Sequence, residues 1–269
     1  MIVDAWAQIT TERMARAPWL ATLLRWTGRA DDYEVPTPAS TVASMDAAGV
    51  DISLISAWHG PQGSLVSNAE VSTQIDSAPD RLRGLASADI TDPMGAVREL
   101  RKWVDGKRFV GVRIVPWLWD LPPNDRRYYP LYAACVDLQV PLCTQIGHTG
   151  PLKRSDCGRL IPYLEDVLLD FPELVVVGGH VGFPWLDELT TLTIKFPNFY
   201  VDTSAYAVHR LPPAFLDYMK GVGARRVMFG TNWPMLSPTR CLEHLDRLGL
   251  PADLRADFLG GTAKRVFKL

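Results

Sequence analysis

Ile2-Val3-Asp4-Ala5-Trp6-Ala7-Gln8 is a short apolar run that closes on residues able to hydrogen-bond. A few residues are enough to cross a buried strand, so whatever stands past its end is aimed at one mouth of the sheet it joins. Three later stretches have the same form. They are Leu142-Cys143-Thr144-Gln145-Ile146-Gly147-His148, Leu174-Val175-Val176-Val177-Gly178-Gly179-His180 and Val227-Met228-Phe229-Gly230-Thr231-Asn232-Trp233-Pro234. A His, a His and an Asn each stand at the C-terminal end of a predicted strand. The four strand ends read as one site.

Apolar runs of strand length recur at 2–5, 52–57, 83–88, 110–115, 141–146, 174–179, 198–203 and 226–231. They are rich in Val, Ile and Leu on both faces, as strands covered on both sides are. Between them lie helical patterns. Thr37 to Ala48 opens near Pro38 and closes at Gly49, the usual asymmetry of proline and glycine. Ser67 or Asn68 caps a helix running to about Ala78, and Asp92-Pro93 starts another. Helices are also predicted over 129–138, 161–170, 185–195, 212–220, 240–248 and 252–267. Strands alternating with such helices predict βαβ units and a parallel sheet. Eight units in 269 residues, with no second composition zone, predict a single-domain (β/α)8 TIM barrel over residues 1–269. A doubly wound sheet is the runner-up. In a barrel the active site lies at the C-terminal ends of the strands. Two long connections fall there, 9–36 (with Trp19, Trp26 and Asp31-Asp32) and 116–128, and loops of that length are usually lids or binding loops.

The formal net charge of −2 provides no electrostatic footprint for nucleic acid or an anionic membrane. No basic segment followed by an apolar core opens the chain, and no apolar stretch is long enough to span a bilayer. The four cysteines are scattered without CxxC spacing, which reads as buried thiols in a reducing cytoplasm. The expected partner is a small-molecule substrate. A homodimer is left open, since nothing in the sequence marks an interface.

His148 and His180 are the leading candidates for chemistry, because neutral imidazole suits acid/base work and metal binding alike. His180 is expected as the general acid/base, with His148 as its partner or as an electrophilic donor. Asp202 ends the seventh run and could orient an imidazole or a substrate. Arg113 lies inside the fourth run, where a buried guanidinium needs an anion, either an internal carboxylate or one on the substrate. Trp58 and His59 end the second run. Trp6, Trp58, Trp117 and Trp119 are expected to wall the site, and Gln8 and Asn232 to hydrogen-bond the substrate. His209 and His244 read as surface residues.

With these residues in view, the chain resembles the amidohydrolase superfamily, in the branch of aminocarboxymuconate-semialdehyde and resorcylate decarboxylases. The likeness rests on Ile2-Val3-Asp4, on 45–51, on 130–150, on Gly179-His180-Val181-Gly182, on Val201-Asp202-Thr203-Ser204 and on Phe229-Gly230-Thr231-Asn232-Trp233-Pro234. It implies a (β/α)8 barrel holding one divalent metal through an HxH pair after strand one, a His after strand five and an Asp after strand eight. The His after strand six is implied as acid/base or further ligand. His148 and His180 match. Trp6 and Gln8 stand where the HxH pair belongs, and Asn232 where the carboxylate belongs. Zinc sites are built from His, Cys or carboxylate ligands. The expectation is therefore an enzyme, a decarboxylase, related lyase or hydrolase acting on an aromatic or carboxylated substrate, with its usual metal ligands lost and no cofactor assigned. Two alternatives stand beside it: a catalytically silent relative that binds a ligand or partner subunit, and a metalloenzyme holding residual Zn or Mn through His148, His180 and other groups.

Overall fold

The eight predicted runs lie side by side in one parallel sheet whose spatial order is their order in the chain. The structure is a computed structural model and describes residues 1–29 and 33–269, so Asp31-Asp32 lies outside the described residues. The strands are β1 (Val3–Gln8), β2 (Ile52–Ser56), β3 (Leu82–Ala86), β4 (Phe109–Ile114), β5 (Leu142–Gln145), β6 (Val176–Gly179), β7 (Phe199–Asp202) and β8 (Val227–Met228). Past the end of β8 the chain comes back to β1. Ala5 N donates to Phe229 O at 2.9 Å, Asn232 N to Trp6 O at 2.7 Å, and Gln8 N to Trp233 O at 3.0 Å. These bonds close the sheet into a (β/α)8 barrel, which leaves no exposed strand edge.

Apolar side chains fill both sides of the wall. Val3, Ala5, Leu54, Leu85, Val110, Cys143, Val177 and Met228 cluster with Ala263, Val266 and Phe267 of the last helix. A larger cluster lies between the strands and the outer helices. Capping chemistry sets several helix starts. Thr37 accepts from Ser40 N, Asp92 accepts from Gly95 N, and Ser67 with Glu70 forms a reciprocal capping box.

Three features depart from the predicted pattern. The connection 9–36 carries two helices, Glu12–Ala15 and Leu20–Thr27, and residues after β2 form a hairpin, Trp58–Gly60 paired with Gly63–Val66. The helix predicted over 240–248 is broken. Helix Pro238–Leu242 stops, Glu243 is extended, His244 is left-handed, and a single 3-10 turn follows. All four cysteines are buried and unbridged. No helix is long and apolar enough to cross a membrane.

Candidate active site

At the C-terminal mouth of the barrel the strand ends enclose a cavity of about 260 Å³. Its polar wall comes from strand ends and the turns just beyond them: Gln8, Gln145, His148, His180 and Asn232. Its apolar wall is Trp19, Leu20, Leu23 and Trp26 of the first connection, with Trp58, Trp117, Tyr206 and Met235. Trp19 stacks on Trp58 at 5.9 Å and meets Trp117 edge-on at 5.1 Å, so the indoles brace one another. Among the described residues, no Lys, Arg, Asp or Glu is on this wall. Such a cavity takes a planar, mostly apolar molecule and orients it by a few polar contacts.

His180 is held by a chain of bonds running down into the barrel. Its Nδ1 lies 2.6 Å from Ser204 Oγ. Ser204 Oγ donates to Asp202 Oδ1, which also accepts from Ser204 N at 2.9 Å. A hydroxyl has one proton, and here the carboxylate takes it. The remaining contact is therefore Nδ1–H donating to Ser204 Oγ, which leaves the Nε2 lone pair open on the cavity side. Burial pushes the His180 pKa down to about 3, reinforced by the Arg113 guanidinium and then by His148. The imidazole is thus neutral at neutral pH. Burial pushes Asp202 up to about 6, opposed by its Ser204 bonds and then by Arg113. The backbone here is unusual. His180 and Val181 have φ of 74° and 67°, rarely seen for non-glycine residues and scarcest for a β-branched one. Outliers of this kind concentrate at functional sites, where they cost about 1–3 kcal/mol each.

Beneath the polar wall lies a plug. Arg113 is fully buried. Its guanidinium donates to Ser56 Oγ at 2.7 Å and to the carbonyls of Ala7 and Ala5 at 3.1 and 3.4 Å. The Trp6 ring lies on it, 3.6 Å from Cζ, and meets the His180 ring at 4.8 Å. Trp6 is only 1% exposed. Above the plug, Gln8 Nε2 donates to Asn232 Oδ1 at 3.0 Å.

The ten residues singled out from the sequence therefore divide. Gln8, Trp58, Trp117, His148, His180 and Asn232 line the cavity. Trp6 does not; it is the floor below, because Arg113 and Gly179 hold its ring flat against the barrel interior. Arg113 is shut off from the cavity, fully buried under the Trp6 indole with Nη1 and Nη2 donating to backbone carbonyls and Ser56. Asp202 is buried away from the cavity and acts on His180 through Ser204. Trp119 also lies off the wall, with Nε1 donating to His59 O at 3.1 Å and its ring stacked on the His59 imidazole. His59 faces a separate cavity with Asn68, Asp89 and Glu99. Sequence reasoning missed Ser204, Gln145 and Tyr206. Ser204 carried a usable signal, since it stands two residues past Asp202 and period-two alternation puts both on one side of the strand end.

The donor set does not fit a divalent ion of the family type. Trp6 presents only an N–H, which cannot ligate, and Gln8 and Asn232 are neutral amides bonded to each other. Among the described residues, no three His, Cys, Asp or Glu side chains are placed to hold a metal.

The sequence profile of the family described as Amidohydrolase matches residues 3–269. Gamma-resorcylate decarboxylase of Rhodococcus jostii is 26% identical over 243 residues, which cover 71% of this chain and 72% of that protein. The crystal structure of an uncharacterised TIM-barrel protein from Bordetella bronchiseptica aligns over 99% of this chain and 98% of its own, with 25% identity and a TM-score of 0.82. A dihydroxybenzoic acid decarboxylase from Polaromonas, solved with manganese and the inhibitor 2-nitroresorcinol, aligns over 100% of this chain and 97% of its own, with 18% identity and a TM-score of 0.69.

Proposed function

The chain belongs to the amidohydrolase family, and from that premise we propose that it is a carbon–carbon lyase that decarboxylates a planar aromatic acid without a divalent metal. The observation that carries this reading is the pairing of His180, neutral and fixed with Nε2 open, with His148 on the same indole-walled cavity. The resemblance to named aromatic-acid decarboxylases supports the substrate class.

The chemistry asks for one proton and a fixed ring. A hydroxyl-bearing ring is stacked among Trp19, Trp58 and Trp117 with its polar edge on Gln8, Asn232 and His180. His148 lies at the rim, between Trp26 and Phe183, with Nδ1 3.3 Å from the Phe183 carbonyl. The imidazolium of His148 delivers a proton to the ring carbon bearing the carboxylate. The carbon–carbon bond then breaks, its electron pair returns to the ring, and carbon dioxide leaves toward the mouth. Solvent at the rim reprotonates His148. His180 accepts a hydrogen bond from a ring hydroxyl and so fixes which edge faces His148. It does not serve as the acid, since it holds no second proton at neutral pH. Apolar walls favour loss of carbon dioxide, because they leave the carboxylate poorly solvated.

The test is carbon dioxide release from a panel of hydroxybenzoates, using protein purified without added metal and dialysed against chelator. Turnover should survive the chelator, and His148→Ala should lose about a hundredfold or more in kcat, the usual scale for a general acid. Turnover that vanishes with chelator and returns with Mn²⁺ would instead mean that a metal does the work.

A further inference from the structure

The amide pair on the cavity floor has a free end. Gln8 is only 3% exposed. Its Nε2 is engaged by Asn232 Oδ1, and Oε1 is buried with no partner among the described residues. An amide oxygen can only accept, and a buried acceptor left alone destabilises the fold. On the same cavity His180 presents Nε2, a second acceptor, because Ser204 occupies its Nδ1–H. Asn232 contributes the complementary group. Its Nδ2 has no partner among the described residues, and its backbone is pinned in the left-handed region (φ 69°) by the bond to Trp6 O. The floor therefore offers two acceptors and one donor, all uncharged.

We infer that Gln8 Oε1 recognises an uncharged hydroxyl or N–H on a planar ligand, so that the site takes the protonated form of that group and excludes its anion. A phenolate oxygen in this position would face the lone pairs of Gln8 Oε1. No Lys or Arg among the described residues of the wall would offset its charge, and Arg113 is fully buried beneath Trp6, outside the cavity. The titratable side chains that face the ligand are His148, His180 and Tyr206, with Arg113 and Asp202 behind the floor. The inference rests on the proposed function only in using the same cavity, since it concerns the ring hydroxyl and not the carboxylate that leaves.

The probe is 4-nitrophenol, whose visible absorption belongs to its anion alone. It carries no carboxylate, so the result does not depend on turnover. At a pH where the free probe is half ionised, excess protein should bleach the visible band as the phenol form is bound. The ether 4-nitroanisole, which has the same ring and no donor, should bind about tenfold more weakly by quenching of the cavity tryptophans. Gln8→Met keeps the length and removes the acceptor. It should lower affinity for 4-nitrophenol about tenfold and leave the ether unchanged. A band that persists or strengthens at saturation overturns the inference, as does an ether that binds equally well or failure of both probes to bind. The first comparison uses the unaltered chain and stands even where the variant does not fold. Bleaching without turnover of any aromatic acid would sink the decarboxylase reading and leave this one intact.

Discussion

Ser204 has a single hydroxyl proton, and where it points decides what His180 can do. Directed at Asp202, it leaves Nδ1–H to be held by Ser204 and Nε2 open to the cavity. In Ser204→Ala the imidazole loses this anchor, and both tautomers and ring orientations become accessible. The expected result is a kcat lower by about ten- to a hundredfold, the scale on which partners one shell out usually act. KM should move little, because the apolar walls that hold the ring are untouched, whereas the thermal midpoint should fall, because the buried Asp202 carboxylate loses a donor. Steady-state kinetics beside a thermal melt separates these, and a KM effect without a kcat effect would refute the anchoring role. His148, His180, Gln8 and Asn232 were legible in the sequence because each terminates an apolar run or follows it closely. Arg113 and Trp6 were misplaced because a sequence shows that a side chain is in the wall but not which layer of the barrel it fills.

Strand β6 ends Gly178-Gly179, and the reason is lateral crowding. A Cβ on Gly179 would stand 2.4 Å from the Trp6 ring, and one on Gly178 would stand 2.6 Å from Ile146. The strand is bare so that the indole of β1 can lie flat over Arg113. Gly179→Ala should therefore cost about 1–3 kcal/mol of stability by overpacking. It should also tilt Trp6 toward His180 and weaken ligand binding. Urea unfolding and tryptophan quenching on one variant test both, and a variant of unchanged stability would show that the floor can yield. At this scale the eight strands were legible because strands covered on both faces are apolar throughout. The hairpin was not, because His59-Gly60-Pro61-Gln62-Gly63 carries turn residues where a pattern reader sees only loop. Helices Glu12–Ala15 and Leu20–Thr27 were missed for a related reason. Helices of 4 and 8 residues have too few turns to show a period and depend on what they pack against.

Charge inside the barrel links the whole molecule to pH. Asp4 accepts from Thr231 N and Oγ1 at 2.9 and 2.6 Å, yet burial raises its pKa from 3.8 to about 7. Asp202 is raised to about 6 and His180 lowered to about 3. A raised carboxyl keeps its proton in the folded chain after the unfolded chain has lost it. Its stabilising contribution is thus complete below the unfolded value and is lost as pH rises through the folded one. The lowered imidazole acts in the opposite sense, withholding stability below its unfolded value near 6.5. From about pH 4 to 6 the two carboxyls outweigh the one imidazole by a single proton, a slope of about 1.4 kcal/mol per pH unit. Just above that, Asp4 and His180 cancel, and beyond the imidazole's window Asp4 alone remains. Folding stability should therefore fall by about 2 kcal/mol between about pH 5 and pH 8. In Asp4→Asn the fall should disappear, because Asp202 and His180 then offset each other. Asn is uncharged like the protonated acid and keeps an oxygen to accept from Thr231 N. Urea midpoints followed by tryptophan fluorescence across this range decide the matter. A wild-type chain that gains stability toward pH 8, or a variant with the same slope as wild type, would mean that Asp4 is ionised in the fold and that its three donors, Thr231 N, Thr231 Oγ1 and Trp6 N, outweigh the burial.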